Sequence, residues 1–501
     1  MKKILSLVLV LVLALALSVC TAFAAAEEQQ YPAIFVVRGL NNKESKSENA
    51  RVKELIEEKS GVKFDVIVVP HDTWNEKVNA LIASAEPMDL INITQDSGDW
   101  SKYLEKNAIQ PYGDLLETYA PNMLAAARES AWRCCTAADG AVYALPRQES
   151  FTRGFTPVIR TDWLEMMGFE APKTMEDLEA IFAKTIETDL NGNGVHDEIA
   201  YLPGYDSFIT TFRPFFLGFS GERYLDENGV VLPWYMHPNC WKMLEKAQEW
   251  FEKGYIYPEY LTTTWEQITD IAAAGRILMF SGWYNDTVRP SKTIRDADPE
   301  SKVAWAAVEN LTDAPENSAW PTNPANQAEL VLSSTAREPE AALKLINWIL
   351  ADVDNWMLCN YGIEGEHWEW VEEGKTFRRL EGATDKYYGL YFLTEWYAGD
   401  APTEYVEEGD YVNEQLRDLK AEINAMDVVE DFDYYVPYTS AGTEVEMLIN
   451  DAATLISEAT AKATYGEYTE EDWNKVVDTC WKTDGQYRSK VWTEQYHAFV
   501  D

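Results

Sequence analysis

Beyond Ala24 the chain lacks any apolar run approaching the roughly 20 residues that a membrane-spanning helix needs, so the remainder is expected to fold outside the bilayer. Positive charge is also short. Forty-two lysines and arginines stand against 84 acidic residues, a net charge of −42. This argues against nucleic acid as a partner, because its phosphates must be met by clustered cations. Adsorption to an anionic membrane face is disfavoured for the same reason. A local pair such as Arg147 and Arg153 still leaves room for a small anionic ligand. Cysteine is scarce: Cys134, Cys135, Cys240, Cys359 and Cys480 follow Ala24, an odd number without the spacing of a disulfide scaffold or a zinc site. Buried free thiols are the expectation. Nor is there a nucleophile elbow, a zinc motif, a phosphate loop, a fixed-period repeat or a low-complexity tract.

What is present begins with Met1-Lys-Lys, the apolar run Ile4 to Val19 and the small-residue site Ala22-Phe-Ala24, which read as a signal peptide. Export is expected. Cys20 after Leu17-Ser-Val19 also resembles a bacterial lipobox, so lipid anchoring through Cys20 stays open beside cleavage after Ala24. Strong acidity suits solubility outside the cell.

The length suggests two or three domains. Strand-like Ala33 to Val37 and Val62 to Val69 alternate with helical Asn49 to Lys59 and Trp74 to Ser84, and Pro87 to Ile93 gives a third strand. Such alternation marks βαβ units and a mainly parallel sheet, on which ligands bind at the carboxyl ends of strands. Arg38, Gly39, Asn41, Gln95, Asp96, Asp99 and Trp100 fall there. Ala141 to Pro146 reads as a strand leaving this unit, and Pro157 to Trp163 starts a second. A helix over Met175 to Thr188, a strand over Glu329 to Ser334 and a periodic helix over Glu338 to Ala351 follow.

Between helix and strand lies Asp189-Leu-Asn-Gly-Asn-Gly-Val-His-Asp-Glu198, with oxygen-bearing groups at alternate positions around a glycine turn. Ca²⁺ wants six to eight oxygens at about 2.3 to 2.6 Å, and a loop of this pattern supplies them. The donors would be Asp189, Asn191, Asn193, the Val195 carbonyl and Asp197. The twelfth position, where an EF-hand keeps a bidentate Glu, is Ala200, so Glu198 would have to serve. The alternative is a metal-free Asn/Gly/Asp turn.

The ordered segments GVKFDVIVVPHDTWNEKVNALIASAEPMDLI (61–91), GAVYALP (140–146), VIRTDWLEMMGFEAPKTMEDL (158–178), DLNGNGVHDEI (189–199), AAGRILMFSGWYN (273–285), PEAALKLINWI (339–349) and YGIEGEHW (361–368) closely resemble the bacterial extracellular solute-binding proteins of family 1. These are the capture components of ABC sugar importers. The nearest likeness is to oligosaccharide binders, including alginate-binding proteins with a similar calcium loop. The resemblance implies an α/β, periplasmic-binding-protein-like fold: two lobes, several hinge crossings and a cleft between them. It implies residues 25–150 and 306–365 in the first lobe, and 151–305 and 366–501 in the second. Crossings are expected at Pro146 to Phe155, Val303 to Val308 and after Tyr361. A carbohydrate ligand, permease subunits as partners, a monomer and structural Ca²⁺ follow from the same likeness.

With 19 tryptophans, 27 tyrosines and 18 phenylalanines, the chain can stack sugar C–H faces on aromatic rings. Trp283 and Tyr284 follow the strand ILMF, where strand-end residues face a cleft, and Trp283 matches a family tryptophan that stacks on sugar. Trp396 and Tyr397 are comparable by family position. A core role would look the same in sequence for all four. Arg38, Gln95, Asp96, Arg147 and Glu149 follow predicted strands and could bind hydroxyls or carboxylates. Glu364, Glu366, His367 and Trp368 sit near a crossing and could shape closure or touch ligand. Against a binding protein stand a secreted glycoside hydrolase, which would need two carboxyls about 5 to 9.5 Å apart, and a surface polysaccharide-binding module.

Overall fold

A computed structural model describes residues 31–39, 46–70, 73–93, 100, 103–104, 106–127, 129–133, 135–137, 140–152, 156–204, 208–219, 221–315, 324–387, 389, 402–406, 410–426, 433 and 445–500. The expected leader segment and Cys20 lie outside these residues. No helix among them is long and apolar enough to cross a membrane.

The first lobe is built on β1 (Ala33–Gly39), β2 (Phe64–Pro70), β3 (Leu90–Asn92), β4 (Ala144–Thr152) and, from much later in the chain, β11 (Pro324–Leu332), in the order β2-β1-β3-β11-β4. β1 runs parallel to β2 and β3, while β11 runs antiparallel to β3 and β4. The helix Asn49–Ser60 between β1 and β2 stops at Gly61, whose φ of 71° closes the last turn with an amide bond to the Glu57 carbonyl. Val52 and Ile56 pack this helix beneath Phe35 and Phe64.

Glu57, on the same helix, is buried but satisfied. Lys53 and Lys63 place ammonium groups 2.8 and 2.9 Å from its carboxylate, and the Phe64 amide donates at 3.1 Å. Burial alone would raise this carboxyl; the Lys53 and Lys63 bonds and the amide together hold it below its usual range. A depressed folded pKa contributes stability above the unfolded value and loses it as pH falls through the folded one. Glu57→Gln is therefore expected to cost about 1 to 3 kcal/mol at neutral pH. The difference from the parent chain should shrink as denaturation curves are taken below about pH 4. A pH-independent difference would remove the ion pairs as its cause.

The second lobe uses β5 (Val158–Arg160), β6 (Ile199–Pro203), β9 (Ile277–Ser281) and β10 (Trp305–Ala307), in the order β10-β5-β9-β6, with β6 parallel to β9. A hairpin of β7 (Arg223–Leu225) and β8 (Val231–Pro233) lies apart from that sheet. Its core is aromatic: Trp250 makes edge-to-face contacts with Phe182, Phe208 and Phe212 at 5.1 to 5.5 Å. Much of the aromatic content that suggested sugar stacking is consumed here, with Trp163, Trp250 and Trp473 fully buried.

The lobes exchange chain later than expected. β10 belongs to the second sheet and Val308 and Leu311 to its core, because their apolar side chains continue that packing. The first lobe regains the chain only at β11. Likewise β12 (Trp368–Glu372) and β13 (Thr376–Arg379), with which β14 (Thr403–Glu404) pairs, remain with the first lobe, whose core takes in Trp368, Phe377 and Tyr387. Boundaries at 306 and 366 are corrected accordingly. Further on, the helix Tyr411–Ala425 returns to the second lobe, where Gln415 and Glu422 accept the Trp305 and Ala307 amides at 2.8 and 2.9 Å.

Candidate functional site

β4 and β11 form a long antiparallel ribbon with two register shifts, starting in the first sheet at Ala144 and Val331 and reaching Thr152 opposite Pro324. Six residues after Thr152, β5 opens the second sheet. Bulges bend and twist a strand pair, and here they fall on the segment joining the lobes. Arg147 and Glu149 lie within this ribbon rather than beyond a strand end, Arg147 in register with Gln327, because β4 runs to Thr152 and not to Pro146. Arg38 is the penultimate residue of β1. Gln95, Asp96, Trp396 and Tyr397 lie outside the described residues.

On the second lobe, β9 ends at Ser281, whose hydroxyl meets the Tyr201 hydroxyl at 2.7 Å and receives one from Thr211 at 3.0 Å. At the end of β6 the Gly204 amide donates to the Ser281 carbonyl at 2.7 Å, and a Cβ on Gly204 would approach that carbonyl to 2.5 Å. Only glycine permits this approach, which pins the two strand ends together. Trp283 follows two residues later and is half-buried. Tyr284 is 7 % exposed and packs in the second core, while its carbonyl receives the Thr287 hydroxyl and the Val288 amide. The pair thus divides, Trp283 at the surface of the strand end and Tyr284 beneath it.

Two residues that sequence reading passed over stand beside Trp283. Asp286 donates its amide to the Trp283 carbonyl at 2.8 Å, and its carboxylate accepts the Trp265 indole N–H at 3.1 Å. Burial pushes the Asp286 carboxyl up, against the indole bond. The available signal was Thr264-Trp-Glu-Gln267, a capping box that starts the helix Trp265–Ala273 leading into β9. A helix antiparallel to its following strand begins at that strand's carboxyl end.

Two first-lobe expectations change. Trp100 is 2 % exposed and stacks on Tyr143 with centroids 5.3 Å apart, a packing role. In the Glu364–Trp368 stretch, Glu366 takes both guanidinium nitrogens of Arg51 at 2.7 Å, buried His367 accepts the Ile363 amide at 2.9 Å, and the Trp368 indole donates to the Gly362 carbonyl. These bonds tie the β12–β13 hairpin to the first lobe.

The Asp189–Glu198 loop precedes β6, so it sits at the end of the sheet opposite the β6 and β9 carboxyl ends, about 16 Å away along a five-residue strand. Asp189 accepts the Asn193 and Gly194 amides at 3.1 and 2.9 Å, and Asn193 Oδ1 accepts the Val195 amide at 2.7 Å. The side-chain amides of Asn191 and Asn193 both reach Asp197 Oδ1, at 3.1 and 3.0 Å. Glu198 is buried. Its Oε1 accepts the Leu190 and Asn191 amides, and its Oε2 is buried without a hydrogen-bond partner. That orphaned oxygen, together with an all-oxygen donor set, fits a hard cation. Ala200 is buried within β6 and contributes no side-chain donor, and Arg276 pairs with Asp197 at 2.8 Å. Among the described residues no three His, Cys, Asp or Glu side chains are grouped to hold a metal by themselves, so such a site depends on the asparagine oxygens.

Cys135, Cys240, Cys359 and Cys480 are buried free thiols, and burial pushes the Cys240 thiol up to about 12. They are packing groups at neutral pH.

Two α/β lobes joined by a paired ribbon define a periplasmic-binding-protein-like fold. The model for bacterial extracellular solute-binding proteins matches residues 42–356, and the chain belongs to that family. It is 22 % identical to the lipoprotein LipO of Bacillus subtilis across 90 % of this chain and 89 % of that one. Identity with the polygalacturonan/rhamnogalacturonan-binding protein YtcQ of the same organism is 23 %, over 87 % and 85 %. A solute-binding protein described as HMO binding and ABC-transporter associated, from Bifidobacterium longum infantis, superposes with a TM-score of 0.70 at 20 % identity, covering 94 % of this chain and 99 % of that one. The EF-hand mutant of the Streptococcus pneumoniae substrate-binding protein FusA, in complex with fructo-nystose, gives 0.63 at 18 % identity over 94 % and 99 %.

Proposed function

We propose that this protein is an exported, non-catalytic binding protein that takes up an oligosaccharide between its lobes and delivers it to the permease subunits of an ABC importer. The observation that carries the reading is Trp283, half-buried just past the carboxyl end of β9, in a chain whose relatives YtcQ and FusA are named for or seen with glycans. An aromatic face beside hydrogen-bonding groups is what a sugar ring requires. Arg38, Arg147 and Glu149, on strands of the opposing lobe or of the ribbon, together with Gln95, Asp96, Trp396 and Tyr397, are proposed to complete the cleft. Bending of the β4–β11 ribbon would let the lobes close on ligand. Lipid anchoring at Cys20 is supported by the relative named as a lipoprotein. A monomer suffices for this mechanism.

We further propose that Asp189, Asn191, Asn193, Asp197, the Val195 carbonyl and Glu198 hold Ca²⁺, supported by the orphaned Glu198 oxygen and by the EF-hand of FusA. Calcium would supply a fixed positive charge tying the loop to the start of β6. The sugar cleft lies at the other end of the sheet, so the role is structural.

A thermal-shift screen against neutral and acidic oligosaccharides tests the binding reading, since a ligand of the folded state raises apparent stability. Chromatography after prolonged incubation should return every bound glycan unshortened. Cleaved products would establish the hydrolase instead.

A further inference from the structure

Trp265 is the one exposed tryptophan among the described residues, at 51 %, and it is held in a fixed orientation. Ile268, Ile271 and Ala272 turn one face of its helix into the second core. Trp265, at the first helical position, lies on the same side as Ile268 and Ala272 yet stays exposed. The capping box fixes the backbone there: Gln267 Oε1 accepts the Thr264 amide at 2.7 Å and Thr264 Oγ1 accepts the Gln267 amide at 3.3 Å. The indole N–H is then anchored on Asp286 Oδ1 at 3.1 Å. Exposure of so large an apolar ring forgoes burial, and solvent alone gives no reason to orient it.

The anchor leads to Trp283. Asp286 takes the Trp265 indole with its carboxylate and gives its amide to the Trp283 carbonyl, so one residue couples both tryptophans at the carboxyl end of β9. Asp286 is half-buried, and its second oxygen is shielded and has no hydrogen-bond partner.

Resting on the carbohydrate reading above, we infer that Trp265 is a second, outer stacking platform on the second lobe, positioned by Asp286, so that the bound glycan spans both tryptophans and affinity grows with its chain length. Trp283 serves the inner ring and Trp265 the ring that follows. Disaccharides reach only the first.

Titration calorimetry of the full chain with galacturonate and fructose oligomers, from dimer to hexamer, tests this. Trp265→Ala should weaken binding of the longer members about tenfold while leaving the dimer unchanged. Trp265→Phe should retain most of the long-chain affinity. Asp286→Ala should reproduce the length-selective loss, and Asp286→Asn, which keeps an acceptor for the indole, should not. An unchanged melting temperature in Trp265→Ala would confirm that the loss is one of contact. If an oligomer series binds and Trp265→Ala follows the parent chain at every length, or loses affinity equally for dimer and hexamer, the outer platform is overturned while the carbohydrate reading stands. If neither series binds the folded parent chain and the wider thermal-shift screen finds no glycan that does, the carbohydrate reading falls and the platform with it; a glycan found by that screen is then used for the same length series.

Discussion

Trp283→Ala is expected to weaken binding of the cognate oligosaccharide at least tenfold, about 2 kcal/mol or more, while the chain unfolds where the parent does. The expectation follows from the half-burial of Trp283 just past the end of β9. A partly exposed ring offers accessible surface to ligand, and its truncation is expected to remove that surface with little loss of core. Were Trp283 a core residue in the manner of Trp250, truncation would cost about 3 to 5 kcal/mol of stability instead. Calorimetry beside a denaturation curve separates the two. Unchanged affinity in a stable variant would remove Trp283 from the site. Its neighbour behaves oppositely: Tyr284 is buried in the second core, so its truncation belongs to the stability arm of the same experiment.

The second large effect concerns the Asp189–Glu198 loop. After chelator treatment, added Ca²⁺ is expected to raise the melting temperature, and Asp189→Ala combined with Asp197→Ala should abolish the rise. At about a hundred times its Kd a ligand of the folded state adds about 2.7 kcal/mol. Glu198 is the residue through which the effect reaches the fold, since its Oε1 already holds the Leu190 and Asn191 amides and its Oε2 is buried and unmatched. Affinity for sugar should change little in the double variant, because the loop sits at the far end of β6. Absence of a calcium response, with no metal found by elemental analysis of the parent chain, would reduce the loop to a hydrogen-bonded turn. Arg276, already on Asp197, would then be its principal charge partner.

Local signals located most elements. The helices expected over Asn49 to Lys59, Trp74 to Ser84 and Glu338 to Ala351 are found at Asn49–Ser60, Trp74–Ala83 and Pro339–Ile349, because their apolar spacing matches the face that each buries. β4 was read too early. Its continuation, Arg147 to Thr152, is polar apart from Phe151, so no apolar alternation marks it, and its strand character comes from pairing with β11, nearly 180 residues downstream. The same limit hid Trp265, whose meaning depends on a hydrogen bond to a residue beyond the next strand.

By itself the sequence determined an α/β alternation, a strong acidic excess and a loop of alternating oxygen donors, because each is written in composition, periodicity or short-range spacing, while the order of its segments carried the resemblance to the family. Only the tertiary structure decided where the lobes exchange chain, since Val308 and Trp368 are equally apolar on paper and join different cores. It also decided which aromatics remain available to a ligand. Burial depends on contacts between distant segments, and no local pattern distinguishes the tryptophan that fills a core from the one held at its edge.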